Sequence, residues 1–560
     1  MNATPHGNAR TEVLVIGAGM AGGVLAARLS DHGVKVICLE QGPELHPLEL
    51  PHMSDLFELE KTRNANAHPN VRGLQEDYPV TSDDEGSSIR MVSAVGGSAN
   101  KYSGVWMRPR PSDFRKGTEH GMAPDWPISY EELAPYFDIC DSEMGIAGLD
   151  GNPAYPPYAP RCNPALPMGR AGRKLASALD RLGWHWWPTD NAIVTKPFDG
   201  RLPCNHCGQC VMGCPRGSMS TSANSFWPRA VRNGAELRTF ARVHRILMSN
   251  GKATGALYED LHTGALHRIR ADIVIVAANG IGTPRLLLMS ADGTNGQGIA
   301  NASGLVGKNL MFHPQAFVEG LFDDPMDSYK GARGSPLYVG EFHETDTARG
   351  FVNGYTMIMV RAPGAGYAAM GYSTFRPVDW GANHHRHFAE MFNRQAWFLN
   401  LAEDLPLARN TVTLDPLKKD SSGLPVPKVS YRMHDQDRRA TQHSIVKAEE
   451  VMRTAGARIV NNSGVLEQPC GFHLMGTARM GFTPTDSVVN KWHRSWDIDN
   501  LFICDGSSMA TSFPVTPTAT IGAMAVRLAD HIVRNKAAIL QTNAVREAAH
   551  AATAPERSLA

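Results

Sequence analysis

A glycine-rich turn near the start of the sequence has the spacing of a nucleotide-phosphate site. It follows a short β-branched apolar run, precedes a helical apolar pattern, and is followed by a second strand-like run that ends at Glu40. Gly17 permits a tight turn, Gly19 lets a pyrophosphate approach the backbone, and Gly22 lets helix and strand pack closely. Glu40 can accept hydrogen bonds from ribose hydroxyls. The pattern predicts a dinucleotide site but does not by itself separate NAD from FAD.

Four cysteines lie close together between positions 204 and 214, in the order C-x2-C-x2-C-x3-C-P. This is the spacing of bacterial ferredoxins, in which the fourth cysteine serves a second cluster. A single run of this kind therefore needs a distant fourth ligand or forms a three-ligand site. A structural zinc site suits four thiolates equally, and so does a loop of packed thiols without metal. The spacing leaves all three alternatives open.

The composition is that of a large globular protein able to position such residues. The 560 residues include 55 Lys+Arg and 55 Asp+Glu, so the formal net charge is zero. This balance argues against a nucleic-acid-binding protein and against a polybasic membrane anchor. The runs 13–27 and 507–526 are interrupted by glycine or proline, so we expect no membrane span. The polar N-terminus favours a cytoplasmic location, with transport to the periplasm beside a signal-bearing partner as the alternative.

Three further segments are more specific than the glycine turn. They are VGGSANKYSG at 95–104, NGIGTPRLL at 279–287, and a C-terminal block at 473–521 that contains HLMGTARMG, CDG and TPTATI. In this order and register they resemble the two signature segments and the C-terminal block of the glucose-methanol-choline (GMC) family of flavoenzymes. The resemblance extends over almost the whole chain.

The resemblance implies an α/β fold with two parts. One is a Rossmann-like FAD-binding domain, and the other is an α+β substrate domain with an antiparallel sheet. The FAD-binding domain would be discontinuous and comprise 1–130, 200–309 and 462–540. The substrate-binding domain would comprise 131–199 and 310–461, with 541–560 as a tail that frays. We also expect Thr283 to cap a helix that begins at Pro284.

The resemblance also implies which residues contact the cofactor. Some members of the family attach FAD through a histidine in the first signature segment. Here that segment contains Lys101 and no histidine, so we expect non-covalent FAD. The expected contacts are Gly97, Ser98 and Tyr102 beside the flavin, Val243 beside adenine, Asp505 beside the ribityl and pyrophosphate groups, and Thr518 at the N-terminus of the last helix, which points at the flavin.

Catalysis in this family needs a base for the substrate hydroxyl and a hydride transfer from carbon to the flavin N5. His473, in the H-x-x-G-T motif, is the implied general base, since an imidazole has a pKa near neutrality. The second family position is usually His or Asn, but here it is Thr516. A hydroxyl is not a useful base at neutral pH. Thr516 is therefore expected to donate a hydrogen bond to substrate or flavin, to cap the last helix, or both.

Three of the four clustered cysteines carry a more specific resemblance. Cys204, Cys210 and Cys214 resemble the [3Fe–4S] ligands of iron–sulfur GMC dehydrogenases that act on glucose, gluconate and fructose and work with small and cytochrome subunits. A [4Fe–4S] cluster would draw in Cys207 or a remote ligand. A similar segment without a recognised cluster occurs in members that resemble sterol and long-chain alcohol oxidases. An electron-accepting subunit or cytochrome is therefore an expectation that depends on the cluster.

Together these features predict an FAD-dependent oxidoreductase that oxidises the CH–OH group of an alcohol or sugar. Three alternatives remain on the sequence alone. They are an oxygen-using alcohol or sterol oxidase, a non-redox FAD-containing lyase of the same fold, and an electron-transfer subunit in which the cluster matters more than the pocket.

Overall fold

The computed structural model describes residues 9–46, 77–83, 89–291, 297–370, 380–467 and 471–553, with the backbone alone for 541–553. The described strands are β1 (Ala9–Ile16), β2 (Val36–Leu39), β3 (Thr81–Ser82), β4 (Ala147–Gly148), β5 (Asn163–Pro164), β6 (Trp186–Trp187), β7 (Glu236–Arg238), β8 (Ala241–Ser249), β9 (Lys252–Asp260), β10 (Leu266–Val276), β11 (Gln315–Leu321), β12 (Tyr338–Val339), β13 (Tyr355–Val360), β14 (Gln395–Ala402), β15 (Thr411–Lys419), β16 (Pro425–Ser430), β17 (Ile459–Asn462) and β18 (Leu501–Ile503).

The described α-helices range from one turn to the long C-terminal helix. They are α1 (Met20–Asp31), α2 (Lys116–His120), α3 (Tyr130–Met144), α4 (Gly169–Leu182), α5 (Ser222–Ser225), α6 (Trp227–Arg232), α7 (Asn279–Met289), α8 (Ala365–Ala369), α9 (His384–Met391), α10 (Asp435–Thr454) and α11 (Thr518–Thr553). None of these helices is both long enough and apolar enough to cross a membrane.

The main sheet has seven strands in the order β7-β2-β1-β10-β9-β8, with β18 also paired to β10. Strands β7, β2, β1, β10 and β18 run parallel, whereas β9 pairs antiparallel with both β10 and β8. Strand β2 and residues 13–16 of β1 are buried throughout. Such continuous apolar strands are typical of parallel sheets covered on both faces. The predicted mixed α/β class is confirmed.

A second sheet has six strands in the order β17-β11-β14-β13-β12-β6, and all its pairings are antiparallel. Helix α10 packs against this sheet and against α4, and both helices share one apolar core with the sheet. Helix α10 buries Ala440, Ser444, Ala448 and Val451 along one stripe, which is the spacing of an amphipathic helix. An antiparallel sheet was predicted for the substrate domain, and the domain division itself stays a prediction.

Helix α7 begins one turn earlier than the sequence indicated. It starts at Asn279, whose Oδ1 accepts hydrogen bonds from Ile281 N (2.9 Å) and Gly282 N (3.2 Å). Pro284 therefore lies inside the helix, and the predicted cap at Thr283 is wrong. The Thr283 hydroxyl instead donates to Asp505 Oδ2 at 2.6 Å. The helix begins earlier because the Asn279 side chain accepts hydrogen bonds from two N–H groups of the first turn, which would otherwise have no partner within the helix.

The first turns of the C-terminal helix α11 are buried on nearly every side. Met524, Ala525, Leu528 and Ile532 form one buried stripe, and Ile521 is half-buried. Residues on the other sides of the first turns are also buried; they are Ala519, Thr520, Ala523, Val526 and Ala529. The backbone is helical to Thr553, past the expected start of the tail at 541, and 554–560 lie outside the described residues.

Gly22 is expected to be intolerant of any side chain. An added Cβ would lie 1.9 Å from the carbonyl oxygen of Gly17, so the backbone would have to shift. Overpacking of this kind lowers the free energy of unfolding by about 1–3 kcal/mol, and we expect that loss for Gly22→Ala in chemical denaturation. Gly282→Ala is the matched control, since its Cβ would meet Ala278 Cβ at 3.4 Å. Wild-type stability of Gly22→Ala would contradict the close packing.

Candidate functional site

One cavity of about 520 Å³ brings together residues from the start, middle and end of the chain. Every residue predicted to contact the dinucleotide or the substrate lines it, apart from Gly22, which packs between helix and strand. These lining residues are Gly17, Gly19, Glu40, Gly97, Ser98, Tyr102, Val243, His473, Asp505, Thr516 and Thr518. The volume is in the range of ligand-binding pockets.

Two glycine turns form one end of the cavity. Gly17 has φ of +104° and Gly97 has φ of +57°, backbone conformations that favour glycine. A Cβ on Gly97 would lie 2.9 Å from the Cα of Gly19, so the two turns touch. Gly19 immediately precedes α1 and has no side chain that could cap the helix. The N-terminal N–H groups of α1 therefore face a ready site for an anionic phosphate.

Glu40 joins this turn to the next strand of the sheet. Its Oε2 accepts a hydrogen bond from Ala18 N at 2.9 Å, and its Oε1 accepts one from Gly42 N at 2.8 Å. Burial raises the pKa of Glu40 to about 7, although the main-chain N–H groups act in the opposite direction. A carboxylate has about four acceptor sites, so Glu40 keeps capacity to accept a hydrogen bond from a hydroxyl group in the cavity.

Asp505 connects the C-terminal block to helix α7. Its Oδ2 accepts hydrogen bonds from Asn279 N (2.9 Å) and the Thr283 hydroxyl, and its Oδ1 accepts one from Ser507 N (2.7 Å). Burial raises the pKa of Asp505, and these hydrogen bonds oppose that rise. The carboxylate therefore holds the ends of β10 and β18 in a fixed relation at the cavity wall.

His473 lies beside a second histidine that the sequence did not indicate. Its Nδ1 is 2.8 Å from Nδ1 of His313, and the two rings meet edge to face with centroids 4.8 Å apart. The Nε2 of His313 is 2.6 Å from the carbonyl oxygen of Phe513. His313 is fully buried, whereas His473 is partly exposed in the cavity. Since 160 residues separate the two histidines, no motif spacing relates them; the only sequence signal was one histidine between Phe312 and Pro314.

The role expected for Thr516 changes in the structure. Helix α11 begins at Thr518, and Ile521 N donates to Pro517 O at 3.0 Å, so Pro517 occupies the cap position. The predicted cap at Thr516 is therefore wrong. Its hydroxyl donates to Val105 O at 3.2 Å. Because that proton is already engaged, the hydroxyl offers a ligand in the cavity its acceptor lone pairs.

The four clustered cysteines line a separate, smaller cavity of about 10 Å³. The three cysteines predicted as metal ligands each accept a main-chain N–H. The donors are His206 N to Cys204 (3.3 Å), Arg333 N to Cys210 (3.4 Å) and Met219 N to Cys214 (3.4 Å). Burial raises the pKa of Cys204, and raises that of Cys210 to about 12. Among the described residues, no group of three or more His, Cys, Asp or Glu side chains is arranged to hold a metal ion.

The cysteine loop and the large cavity share a wall. Cys210 begins a short 3₁₀ helix that ends at Met212, and this helix packs against the 3₁₀ helix at 97–101. Val211 and Met212 line the large cavity, and so does Arg333, whose N–H donates to Cys210. Cys210 therefore lies directly beside the wall of the large cavity.

Comparison with known proteins places these features in a family. Residues 11–315 and 406–525 match the N-terminal and C-terminal models described as GMC oxidoreductase. The 2-methyl-1,2-propanediol dehydrogenase of Mycolicibacterium austroafricanum is 50% identical over 529 residues, which cover 94% of this chain and 95% of that protein. The fructose dehydrogenase large subunit of Gluconobacter japonicus is 28% identical over 556 residues, which cover 94% and 98%.

A solved structure shows the same fold at lower identity. The formate oxidase of Aspergillus oryzae RIB40, studied for modification of its FAD, superposes with a TM-score of 0.65 and 16% identity over 96% of this chain and 100% of that one. The family matches support FAD as the cofactor and confirm the predicted oxidoreductase activity. They account for the glycine turn, the signature loop and the C-terminal block together, and the chain belongs to the GMC oxidoreductase family.

Proposed function

We propose that this chain is an FAD-dependent dehydrogenase that oxidises a small alcohol by hydride transfer to the flavin, with His473 as general base. The observation that carries the proposal is that the same large cavity is lined by Gly17 and Gly19 of the glycine turn and by His473. The identity of 50% with 2-methyl-1,2-propanediol dehydrogenase supports a small 1,2-diol as the substrate. Sugars are the second substrate class, since a fructose dehydrogenase subunit is also related.

The cavity residues suit a non-covalently bound FAD. The glycine turn and the N-terminus of α1 would hold the pyrophosphate, while Glu40 would accept hydrogen bonds from the ribose. Val243 would pack against adenine, and Asp505 would lie beside the ribityl chain. The N-terminus of α11, at Thr518, would stabilise negative charge on the reduced flavin by about 1 kcal/mol. When bound, FAD supplies the acceptor for the hydride that leaves the substrate carbon.

His473 is the base that best suits the substrate hydroxyl. Burial and the neighbouring His313 hold the pKa of His473 well below its usual value, so the imidazole is neutral at pH 7 and can accept a proton. Thr516 lines the same cavity, but a hydroxyl does not accept a proton usefully at this pH. Thr516 would accept a hydrogen bond from the substrate while its own hydroxyl donates to Val105 O.

We expect the purified protein to be yellow and acid precipitation to release free FAD. The physical reason is that the loop beside the flavin contains Lys101 and no histidine for a covalent bond. The absorbance and mass spectrum of the supernatant measure the release. Flavin that stays with the precipitate would contradict non-covalent binding, and a colourless protein that binds NAD would overturn the whole proposal.

His473→Ala is expected to slow flavin reduction by about 10²–10⁴-fold, the usual worth of general-base catalysis. Anaerobic mixing with 2-methyl-1,2-propanediol, followed at the flavin absorbance, measures this rate. Thr516→Ala should lose far less, and Thr516→Ser is its matched control because it keeps the hydroxyl. Both His473→Ala and Thr516→Ala should retain bound FAD.

The same experiment separates the alternative functions. Abolished reduction in Thr516→Ala with normal reduction in His473→Ala would reverse the two roles. Reoxidation by oxygen as fast as by an artificial acceptor would identify an oxidase. A flavin that no alcohol or sugar in a panel can bleach would favour a non-redox lyase.

We also propose that Cys204, Cys210 and Cys214 bind an iron–sulfur cluster and that an electron-accepting subunit or cytochrome docks on this enzyme. The three main-chain N–H donors support the first part, because such donors stabilise thiolate ligands. The related large subunit of a fructose dehydrogenase supports the second part. Among the described residues these sulfurs are not grouped around a single metal ion. The thiolates of an iron–sulfur cluster bind different irons, so a cluster does not require that grouping.

Anaerobically purified protein is expected to contain about three irons with acid-labile sulfide and an oxidised-state paramagnetic signal, as for a [3Fe–4S] centre. Cys210→Ser should lose the iron, because Cys210 is a proposed ligand. Cys207→Ser is the matched control, since Cys207 is exposed and lies outside the three-ligand set. Loss of iron in both variants would indicate a [4Fe–4S] cluster. Metal-free protein with full activity would contradict the cluster and remove support for the partner.

A further inference from the structure

We propose that His313 is a positioning residue that holds His473 in the tautomer whose Nε2 is unprotonated. His473 is then a base before any substrate arrives. The catalytic consequence rests on the proposed function of His473, whereas the tautomer itself follows from the contacts of the two rings.

The position of His313 is fixed from both sides. The preceding residue, Phe312, donates its N–H to Asp404 Oδ2 at 2.7 Å. On the opposite segment, Ser512 exchanges hydrogen bonds with the main chain of Asp404, accepting from its N–H at 2.7 Å and donating to its carbonyl at 2.9 Å. One buried residue therefore sets the distance between the segment that carries His313 and the segment that carries the Phe513 carbonyl.

The carbonyl of Phe513 determines which nitrogen of His313 carries the proton. Burial lowers the pKa of His313 to about 4, against a smaller opposing effect of the carbonyl, so the ring is neutral at pH 7 and has one N–H. A carbonyl oxygen can only accept a hydrogen bond. Since Nε2 is 2.6 Å from that oxygen, the proton must lie on Nε2. The Nδ1 of His313 is then a bare acceptor.

The same reasoning gives the tautomer of His473. Its Nδ1 is 2.8 Å from the bare Nδ1 of His313, so His473 Nδ1 must donate. The ring is neutral as well, because burial and His313 lower the pKa of His473. Its single proton is thus on Nδ1, and Nε2 keeps its lone pair. The opposite tautomer would place two lone pairs against each other.

The pair also determines where the substrate proton goes. As the substrate O–H bond breaks, a new N–H bond forms at His473 Nε2, and His473 becomes an imidazolium. Its Nδ1–H group still donates a hydrogen bond to His313 Nδ1. The Phe513 carbonyl cannot accept a proton, so no proton is relayed beyond His313.

Nitrogen NMR of the holoenzyme with ¹⁵N-labelled histidine tests the tautomer directly. The signals are assigned from their loss in His473→Gln and His313→Asn. We expect a protonated Nδ1 and an unprotonated Nε2 for His473, and the reverse for His313. A protonated Nε2 on neutral His473 would overturn the proposal.

Two substitutions of His313 separate the two hydrogen bonds. His313→Asn places Oδ1 where Nδ1 was and keeps an acceptor for His473. His313→Gln places its amide nitrogen where Nε2 was and keeps the donor to Phe513 O. We expect Asn to retain the His473 tautomer and Gln to lose it. A purely structural role would leave the tautomer of His473 unchanged in both.

The rate of flavin reduction should follow the tautomer. When the residue that orients a catalytic histidine presents the wrong hydrogen-bonding group, kcat falls by up to about 10⁴-fold. We expect His313→Gln to slow reduction at saturating substrate by about 10²–10⁴-fold with little change in substrate affinity, and His313→Asn to lose much less. Equal losses in both variants, with an unchanged His473 tautomer, would contradict the positioning role.

The outcomes also separate this inference from the proposed function. If the NMR signals show the stated tautomer but His473→Ala reduces flavin normally, then His313 positions a residue that is not the base. In that case the catalytic role of His473 fails, while the tautomer assignment stands.

Discussion

The parallel pairing of the main sheet is the constraint on which the site depends. Strands β2, β1, β10 and β18 run in one direction, so their carboxyl ends lie at one edge. Gly17, Glu40, Asn279 and Asp505 follow these strand ends in the sequence and meet there in space. Ligands of open α/β sheets bind at this edge because the loops that follow the strands converge on it.

This arrangement places several carboxylates in a low-dielectric interior, where an unsatisfied charge is costly. Glu40 and Asp505 are buried, and both are bonded to main-chain N–H groups from a neighbouring turn. Each carboxylate therefore links two segments of chain. Removal of either one would loosen the turn that it bonds as well as the ligand contact that we propose for it.

The antiparallel sheet positions His313, the residue that contacts His473. Strand β11 begins at Gln315, directly after His313 and Pro314, and it pairs with β14. Asp404 follows β14 and ties the segment that carries His313 to the segment that carries Phe513. The orientation of His473 therefore depends on the segment that leads into β11.

The sequence alone predicted the glycine-turn end of the cavity. Gly17, Gly19 and Glu40 lie within one strand–turn–helix–strand unit, whose geometry follows from local chain dimensions, and the family resemblance carried this prediction to His473 and Asp505. Only the tertiary structure decided the contacts between residues that are far apart in the sequence. The pairing of His473 with His313, the bond of Thr516 to Val105 and that of Thr283 to Asp505 join residues 160, 411 and 222 positions apart. Such contacts depend on strand order and register, which no local spacing encodes.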